Sequence, residues 1–302
     1  MLDRLVIDRD LLDANGNVVA RRGLVVTPAG VQDSARRAPG GAPRIALAET
    51  ALADDVRLPL QHPAYRHLFR VMAEPAVSRA LLRARLPQAL FDELLAFRRF
   101  DAVRYRHALV TAAVTARMLI AAVGDAPAIS EMVGAALLHD LGMRHVPAHL
   151  VRNAGELDRR EAQDIAAHPL LGALHIGSVL GIHPAVEAAL AHHWKNGQGY
   201  PLLHRPPPRT VDVVAVASAF AALTQGRSFR PEPYDARGAV DVMVAEAGLG
   251  QRDPDTVRLL VHALRGARGE VRAVRFARAR LGHAPSANRH RPIAPRVGTA
   301  AP

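Results

Sequence analysis

The stretch from residue 136 to residue 201 decides the fold of this chain. It contains three segments, which are Ala-Leu-Leu-His-Asp-Leu-Gly at 136–142, His-Pro at 168–169, and His-His-Trp-Lys-Asn-Gly-Gln-Gly-Tyr-Pro at 192–201. Two pairs of ligand-type residues, His139-Asp140 and His192-His193, therefore bracket a third histidine, His168. Each pair ends an apolar segment with helical character, which suits a metal site inside a helical bundle. A carboxylate can bridge two cations while imidazoles complete each coordination sphere, so the set favours a two-metal centre over a single structural zinc.

The composition favours packed helices. Aromatic residues make up 4% of the 302 residues, so the core must be built from Leu, Val, Ala and Ile, which suits helices better than sheets. The length allows one large domain and a smaller one. The chain has no cysteine, which excludes disulfides and thiolate ligands.

The positive charge does not indicate nucleic-acid binding. The net charge is +11, but Lys195 is the only lysine and the arginines are spread along the chain. No dense basic stripe interleaved with aromatic residues appears, so nucleic acid is not an expected partner. The N-terminus lacks a signal-peptide pattern, and no apolar run approaches a membrane span. A soluble cytoplasmic protein without membrane contact is expected.

Residues 1–98 are predicted to form a small β-containing segment with linking helices. Asn15-Gly16 between short apolar runs predicts a hairpin, and Pro and Gly at 39–43 predict a loop. Residues 63–98 have helical character, and their predicted buried positions are Leu68, Val71, Met72, Leu81, Leu82, Leu90, Leu94 and Leu95.

Residues 99–270 are predicted to form the main helical domain. Ser130 is the predicted N-cap of a helix reaching Asp140, and Asp158 with Glu161 predicts a capping box for a helix that carries Ile165 and His168. Further helices are expected to begin at His183-Pro184, near residue 209, and after Asp235 and Asp253. Residues 271–302 form a basic segment that is predicted to be a disordered tail.

The motifs of residues 139–201 resemble those of HD-GYP proteins, a branch of the HD metal-dependent phosphohydrolases that opens cyclic dinucleotides such as cyclic di-GMP. The resemblance is carried by four blocks, which are His-Asp-Leu-Gly at 139–142, His-Pro-Leu-Leu-Gly at 168–172, His-His at 192–193 and Gly-Tyr-Pro at 199–201. It covers roughly residues 100 to 265. It implies an HD-type helical bundle, and four motif blocks in register are a specific signal.

The resemblance also implies a site. The implied metal ligands are His107, His139, Asp140, His168, His192 and His193, which would hold two ions of iron or manganese. His139 and Asp140 are the implied catalytic residues. The implied substrate contacts are the loop Gly199-Tyr200-Pro201 and the arginines Arg227 and Arg230. The implied partners are a cyclic dinucleotide and a diguanylate-cyclase-type or other signalling protein.

The chain departs from the family pattern where the chemistry lies. Ser218 stands at the position of a metal-binding aspartate, and Ala221 at that of a second aspartate. Met143 replaces a lysine, Trp194 a glutamate, and Val103 a glutamate that some members carry. Loss of a carboxylate lowers the negative charge that balances two divalent cations.

Three functions therefore remain open. The leading hypothesis is a metal-dependent phosphodiesterase that hydrolyses cyclic di-GMP in bacterial second-messenger signalling. The second is a catalytically degenerate module that binds nucleotide or a partner protein without turnover. The third is hydrolysis of another phosphoester, since the HD core serves several nucleotides and the fold alone does not choose among them.

Overall fold

The fold comes from a computed structural model, which describes residues 3–69, 73–153, 155–277, 279 and 281–286. Most of this part is helical and the strands are short, so the predicted mainly α class with a small N-terminal β segment is confirmed. Val71 and Met72, predicted to be buried, lie outside the described residues, as do residues 287–302 of the predicted tail.

The N-terminal segment consists of two short antiparallel ribbons. Its strands are β1 (Leu5–Val6) paired with β4 (Val25–Val26), and β2 (Leu11–Leu12) paired with β3 (Val18–Ala20). Gly16 lies in the turn between β2 and β3 with φ +84°, a conformation that favours glycine. The Asp13 carboxylate accepts hydrogen bonds from the backbone N–H groups of Asn15 and Asn17. The hairpin predicted from Asn15-Gly16 is therefore confirmed.

A helix that was not predicted follows the ribbons. This helix, α1 (Pro28–Arg37), begins after Thr27, whose Oγ1 accepts a hydrogen bond of 3.0 Å from the backbone N–H of Gly30. Thr followed by Pro is a recognised helix start, so the sequence did contain a signal for it. The helix packs against the one that carries His168, where Gly177 lies next to Ala35.

Residues 63–98, predicted to be helical, are interrupted by a strand. Their helices are α3 (Glu74–Arg83) and α4 (Gln88–Phe100), and between them β6 (Arg85–Pro87) pairs with β5 (Arg44–Ala46); a short helix, α2 (Leu58–Gln61), precedes them. The break falls at Leu86-Pro87, because a residue before proline disfavours the α conformation. The predicted positions Leu68, Leu81, Leu90 and Leu94 are buried, while Leu82 and Leu95 are partly buried.

The remaining helices form the bundle. They are α5 (Ala102–Val123), α6 (Ile129–Leu138), α7 (Ala148–Arg152), α8 (Arg159–Ala166), α9 (His168–Leu180), α10 (Pro184–Ala191), α11 (Arg209–Leu223), α12 (Ala236–Gly248) and α13 (Pro254–Leu264). α5 lies at the centre and contacts α3, α4, α6, α11 and α13. α5 carries small side chains that are buried against its neighbours, among them Ala112 and Ala113, and these let the surrounding helices approach closely.

α5 corrects one expectation about membranes. Among the described residues it is the one helix long and apolar enough to cross a membrane by length and composition, with a mean hydropathy of 1.3 over its best window. The expectation that no apolar run approaches a membrane span is therefore wrong by these two criteria. However, 67% of that window is buried inside the protein, as in a core helix that is apolar on most sides.

Several predicted helix starts are confirmed and one is wrong. Asp158 and Glu161 form the predicted capping box, and Asp235 and Asp253 cap α12 and α13. Ser130 is not an N-cap: it lies inside α6, and its own N–H already donates to the carbonyl of Pro127. The helix expected to carry both Ile165 and His168 is split, since α8 ends at Ala166 and α9 begins at His168.

The described part of the predicted tail contacts the helical domain. The backbone N–H groups of Leu281 and Gly282 both donate to the Asp241 carboxylate at 3.0 Å, and His283 pairs with Glu232 at 2.7 Å. The predicted domain boundaries at 98 and 270 stay predictions.

Candidate metal centre

His139 and Asp140 face the same space because α6 stops at this point. The helix ends at Leu138, and Asp140 has φ −100° and ψ 11° at the start of a 3₁₀ turn (Leu141–His145). In a continued helix, consecutive side chains would diverge by about 100°. The Nδ1 atom of His139 lies 2.7 Å from the carbonyl oxygen of Ala136. Since a carbonyl oxygen only accepts, Nδ1–H donates and Nε2 is left for the centre.

His168 is the first residue of α9. Its Nδ1 lies 2.7 Å from the carbonyl oxygen of Ile165, so its Nε2 also points to the centre. Two glycines hold α9 against the turn that follows Asp140. A Cβ atom added at Gly172 would lie 2.7 Å from the backbone nitrogen of Gly142, so only glycine allows this approach.

His192 and His193 follow the last residue of α10. The Nδ1 atom of His192 lies 2.9 Å from the carbonyl oxygen of Ala189, which again directs Nε2 inward. The ring of His193 stacks on that of Tyr200, with centroids 4.6 Å apart and an interplanar angle of 22°. Gly199 lies so close to the carbonyl of His193 that a Cβ atom has no room. The loop that ends in Gly199-Tyr200-Pro201 is therefore folded back onto the histidine pair.

His107 on α5 and Ser218 on α11 complete the cluster from the other side. The Nε2 atoms of His107 and His139 lie 3.3 and 3.1 Å from the Ser218 hydroxyl oxygen. The other ring nitrogen of His107, Nδ1, is buried without a hydrogen-bond partner in the part of the chain that the structure describes. The hydroxyl thus contacts both histidines at the position where the resemblance implies an aspartate.

The structure brings all six predicted ligands together, in two groups that share Asp140. We define the four-donor group as Asp140, His168, His192 and His193, and the three-donor group as His107, His139 and Asp140. Within each group, one potential ligand atom per residue lies within 4.8 Å of all the others. The side chain of Asp140 keeps 17% of its exposure, so the cluster is reachable from solvent at the shared carboxylate.

Burial controls the protonation of the cluster. It lowers the pKa of His139 to about 4 and holds the pKa of His107 and His193 well below the ordinary value. It also lowers the pKa of His168. Burial by itself would raise the pKa of Asp140, but its histidine neighbours outweigh this effect, so the carboxylate is ionised at neutral pH.

The four-donor group fits a divalent cation. Oδ1 of Asp140 lies 3.2 Å from Nε2 of His168 and 3.4 Å from Nε2 of His192, and the two Nε2 atoms lie 3.1 Å apart. Because Nδ1–H of both rings already donates to a carbonyl, a hydrogen on either Nε2 would put a positive charge on a buried ring. A divalent cation supplies positive charge among these donors without charging a ring.

The two predicted substrate arginines lie in different surroundings. Burial lowers the pKa of Arg227 to about 10 while Asp140 acts to raise it, so the guanidinium stays charged and within electrostatic reach of the cluster. Arg230 instead donates from Nη2 to the carbonyl oxygens of Ala222 and Gln225, at the end of α11. The two arginines are linked by backbone hydrogen bonds of 2.8 and 2.9 Å.

A second buried polar network was not found from the sequence. Glu93 on α4 is completely buried and accepts hydrogen bonds from the backbone N–H of Ala14, at 2.5 Å, and from Nε of Arg144, at 2.8 Å. Nε2 of His175 lies 3.9 Å from the same carboxylate, and its Nδ1 lies 3.4 Å from Nε2 of His145. The network joins the N-terminal hairpin to the turn that follows Asp140.

The sequence matches a known protein family. A family model described as "HD domain" matches residues 89–256. The chain therefore belongs to the HD domain family. The resemblance stated from the motifs is thus confirmed at the level of the HD domain family.

Three relatives of known activity share part of the sequence. A 3'3'-cGAMP-specific phosphodiesterase 1 of Vibrio cholerae is 28% identical over 128 residues, 41% of this chain and 30% of that protein. A cyclic di-GMP phosphodiesterase of the same species is 32% identical over 116 residues, 35% of this chain and 24% of that protein. A cyclic di-GMP phosphodiesterase of Thermotoga maritima is 31% identical over 113 residues, 35% of this chain and 31% of that protein. The chain thus spans less than a third of the length of these relatives.

A solved structure also matches. It is Bd1817, a HDG"Y"P protein from Bdellovibrio bacteriovorus, with 14% sequence identity and a TM-score of 0.47. The match covers 87% of this chain and 99% of that one.

Proposed function

We propose that this protein is a metal-dependent phosphodiesterase that hydrolyses a cyclic dinucleotide, with cyclic di-GMP as the first candidate, in cytoplasmic second-messenger signalling. The observation that carries the proposal is the convergence of two donor groups on one shared carboxylate, Asp140. The names of the three relatives support the substrate class. The signalling-protein partner implied by the resemblance stays a prediction.

The four-donor group and the three-donor group would each hold one divalent ion, and Asp140 belongs to both groups. A set of imidazoles with one carboxylate suits iron or manganese. When bound, such ions supply Lewis acidity and lower the pKa of a water molecule so that it attacks phosphorus at neutral pH.

The residues of the chain itself hold the reaction in place. Asp140 and the predicted histidine ligands would hold the ions, and the backbone carbonyls that accept from Nδ1–H fix the orientation of His139, His168 and His192. Arg227 contributes a permanent positive charge that stabilises the added charge on the phosphate.

The arginine assignment differs from the one made from the sequence. The guanidinium of Arg230 donates hydrogen bonds to carbonyl oxygens at the end of α11. We therefore propose that Arg230 stabilises the turn that carries Arg227 and does not contact the substrate. Tyr200, stacked on His193, together with Gly199 and Pro201 would form one wall of the substrate pocket.

The test is hydrolysis of cyclic di-GMP by protein loaded anaerobically with Fe(II) or Mn(II). The wild-type chain should yield linear product, and the combined change His139→Ala and Asp140→Ala should abolish it, because it removes the bridge and one imidazole. Unchanged hydrolysis in the double variant would refute the proposed site.

A second function is favoured by the departures from the family pattern. Met143 and Ala221 are buried apolar side chains where the family has a lysine and an aspartate, and Ser218 is neutral. These changes suit a module that binds a cyclic dinucleotide without turnover. Tight binding of cyclic di-GMP by metal-loaded protein that forms no product would establish this second function.

A further inference from the structure

We propose that the two donor groups have unequal affinities for metal. The four-donor group holds one divalent cation tightly, whereas Ser218 holds the three-donor group in a complete hydrogen-bonded arrangement that needs no cation. This inference rests on the proposed function only in assuming that the cluster binds metal.

The hydrogen atoms of the three-donor group can be assigned one by one. Nδ1 of His139 lies 2.7 Å from the carbonyl oxygen of Ala136 and donates its hydrogen to it, so the neutral ring carries its hydrogen on Nδ1. Its Nε2 therefore carries no hydrogen, and the Ser218 hydroxyl, 3.1 Å away, must donate to it. A hydroxyl has one hydrogen, so at 3.3 Å Ser218 accepts from Nε2–H of His107.

This assignment explains why Nδ1 of His107 has no hydrogen-bond partner among the described residues. With its hydrogen on Nε2, the neutral ring has a bare lone pair on Nδ1, the atom without a partner in the described part of the chain. The result is a continuous chain of hydrogen bonds from His107 through Ser218 and His139 to Ala136. No positive charge is needed to hold it.

A cation in the three-donor group would have to break this chain. His107 would have to move its hydrogen from Nε2 to Nδ1, where the described residues offer no acceptor, before Nε2 could bind metal. Ser218 would lose its contact with His139 and supply no negative charge in return. Loss of the interactions that orient a ligand costs roughly 10- to 100-fold in metal affinity.

The four-donor group is in the opposite situation. Its Nε2 atoms of His168 and His192 lie 3.1 Å apart beside the ionised Asp140, and neither Nε2 has a serine hydroxyl as its hydrogen-bond partner among the described residues. Without a cation, the atoms that face one another here are the hydrogen-free Nε2 atoms of two neutral rings and a carboxylate oxygen, all of which can only accept hydrogen bonds. The first cation therefore enters the four-donor group and uses the charge of Asp140, the one carboxylate that the two groups share.

Equilibrium dialysis against Mn(II), with free ion measured by electron paramagnetic resonance, tests the inference without an activity assay. Wild-type protein should bind one Mn(II) per chain at low concentration and a second at least about 10-fold more weakly. Ser218→Asp adds a carboxylate and should bring the second ion to comparable affinity. Ser218→Ala removes the hydroxyl without adding charge, and its gain should be clearly smaller.

Two ligand deletions identify which ion is lost. His192→Ala should abolish the tight ion, whereas His139→Ala should retain it, with folding of both variants checked by circular dichroism. Two ions of equal affinity in the wild type, or loss of the tight ion in His139→Ala alone, would overturn the inference. The Ser218 variants keep all six ligands, so they decide the matter even if His192→Ala fails to fold.

The outcomes separate this inference from the proposed function. If wild-type protein binds no Mn(II), the metal centre itself is wrong and both proposals fall. If two ions bind equally, only the inequality is wrong and the phosphodiesterase proposal stands.

Discussion

Gly142 and Gly172 lie backbone against backbone at the point where the turn after Asp140 meets α9. A Cβ atom on either glycine would come within 2.7 Å of the other residue's backbone nitrogen. This contact sets the separation between Asp140 and His168, whose Oδ1 and Nε2 atoms are 3.2 Å apart. Two residues with no side-chain chemistry thus determine whether the four-donor group can form.

Gly142→Ala is therefore expected to damage both stability and metal binding. The added methyl group meets backbone atoms of His168 and Gly172, which cannot move without shifting α9, and such overpacking costs about 1–3 kcal/mol. Urea denaturation and Mn(II) dialysis measure the two effects. Gly248→Ala, at a helix end with open space around it, is the matched control and should change neither. Wild-type behaviour of Gly142→Ala would show that this contact is not required.

The Glu93 network makes a prediction about stability. Glu93→Ala is expected to lower the free energy of unfolding by about 3 kcal/mol, because it strips Arg144 of its buried partner and leaves the N–H of Ala14 without an acceptor. Asp92→Asn on the same helix, a half-buried site, should cost much less. If urea denaturation gave equal losses in the free energy of unfolding for the two variants, Glu93 would not have the stabilising role proposed for it.

Acid should destabilise the fold through its buried histidines. Burial lowers the pKa of His145 from the ordinary 6.5 to about 3, so the unfolded chain takes up a proton near pH 6.5 and the folded chain does not. The free energy of unfolding is therefore fully retained above pH 6.5 and falls as the pH drops from about 6.5 towards 3. His139, with a pKa of about 4, acts in the same direction.

Urea denaturation at pH 7.5 and pH 5 checks this prediction. His145→Gln should lose less stability between the two values than the wild type, because one of the groups that take up a proton on unfolding is gone. His204→Gln, at an exposed site, is the control and should follow the wild type. Identical losses in His145→Gln and wild type would mean that His145 does not carry the effect.

Arg227 should matter for catalysis without holding metal. Arg227→Ala is expected to lower kcat/KM for cyclic di-GMP about 100-fold, the size expected when one charge-stabilising donor is removed, with unchanged Mn(II) content. Arg227→Lys should restore part of the rate, since it keeps the charge but not the planar donor pattern. Arg205→Ala, at an exposed arginine, should leave kcat/KM unchanged. A loss of metal in Arg227→Ala would instead indicate a structural role.

The sequence predicted best what is encoded locally. Capping by Asp158, Asp235 and Asp253, and the Asn15-Gly16 turn, depend on neighbouring residues and were found. The resemblance carried by the motifs implied six ligands, and the structure places their side chains close together; that they bind metal stays a prediction. Ser130 failed as a cap because Ser within a helix and Ser at its start look alike without the backbone angles.

The unpredicted features depend on contacts between distant segments. Glu93 lies on the buried face of α4 between apolar residues. No residue near it in the sequence predicts that its carboxylate accepts hydrogen bonds from Ala14 and Arg144. Arg230 could not be distinguished from Arg227, because its carbonyl partners become available only where α11 ends. The hydrogen-bond chain through Ser218 likewise needs three helices in place.

The most direct test of the account is anomalous diffraction from crystals of the wild-type chain grown with Mn(II). The account predicts a strong peak bounded by Asp140, His168, His192 and His193, at about 2.0–2.3 Å from the Asp140 oxygen and the Nε2 atoms of His168 and His192. That peak should vanish in Asp140→Ala crystals. Well-ordered density for these side chains with no peak among them, or a peak elsewhere on the protein, would contradict the metal centre on which the proposed activity depends.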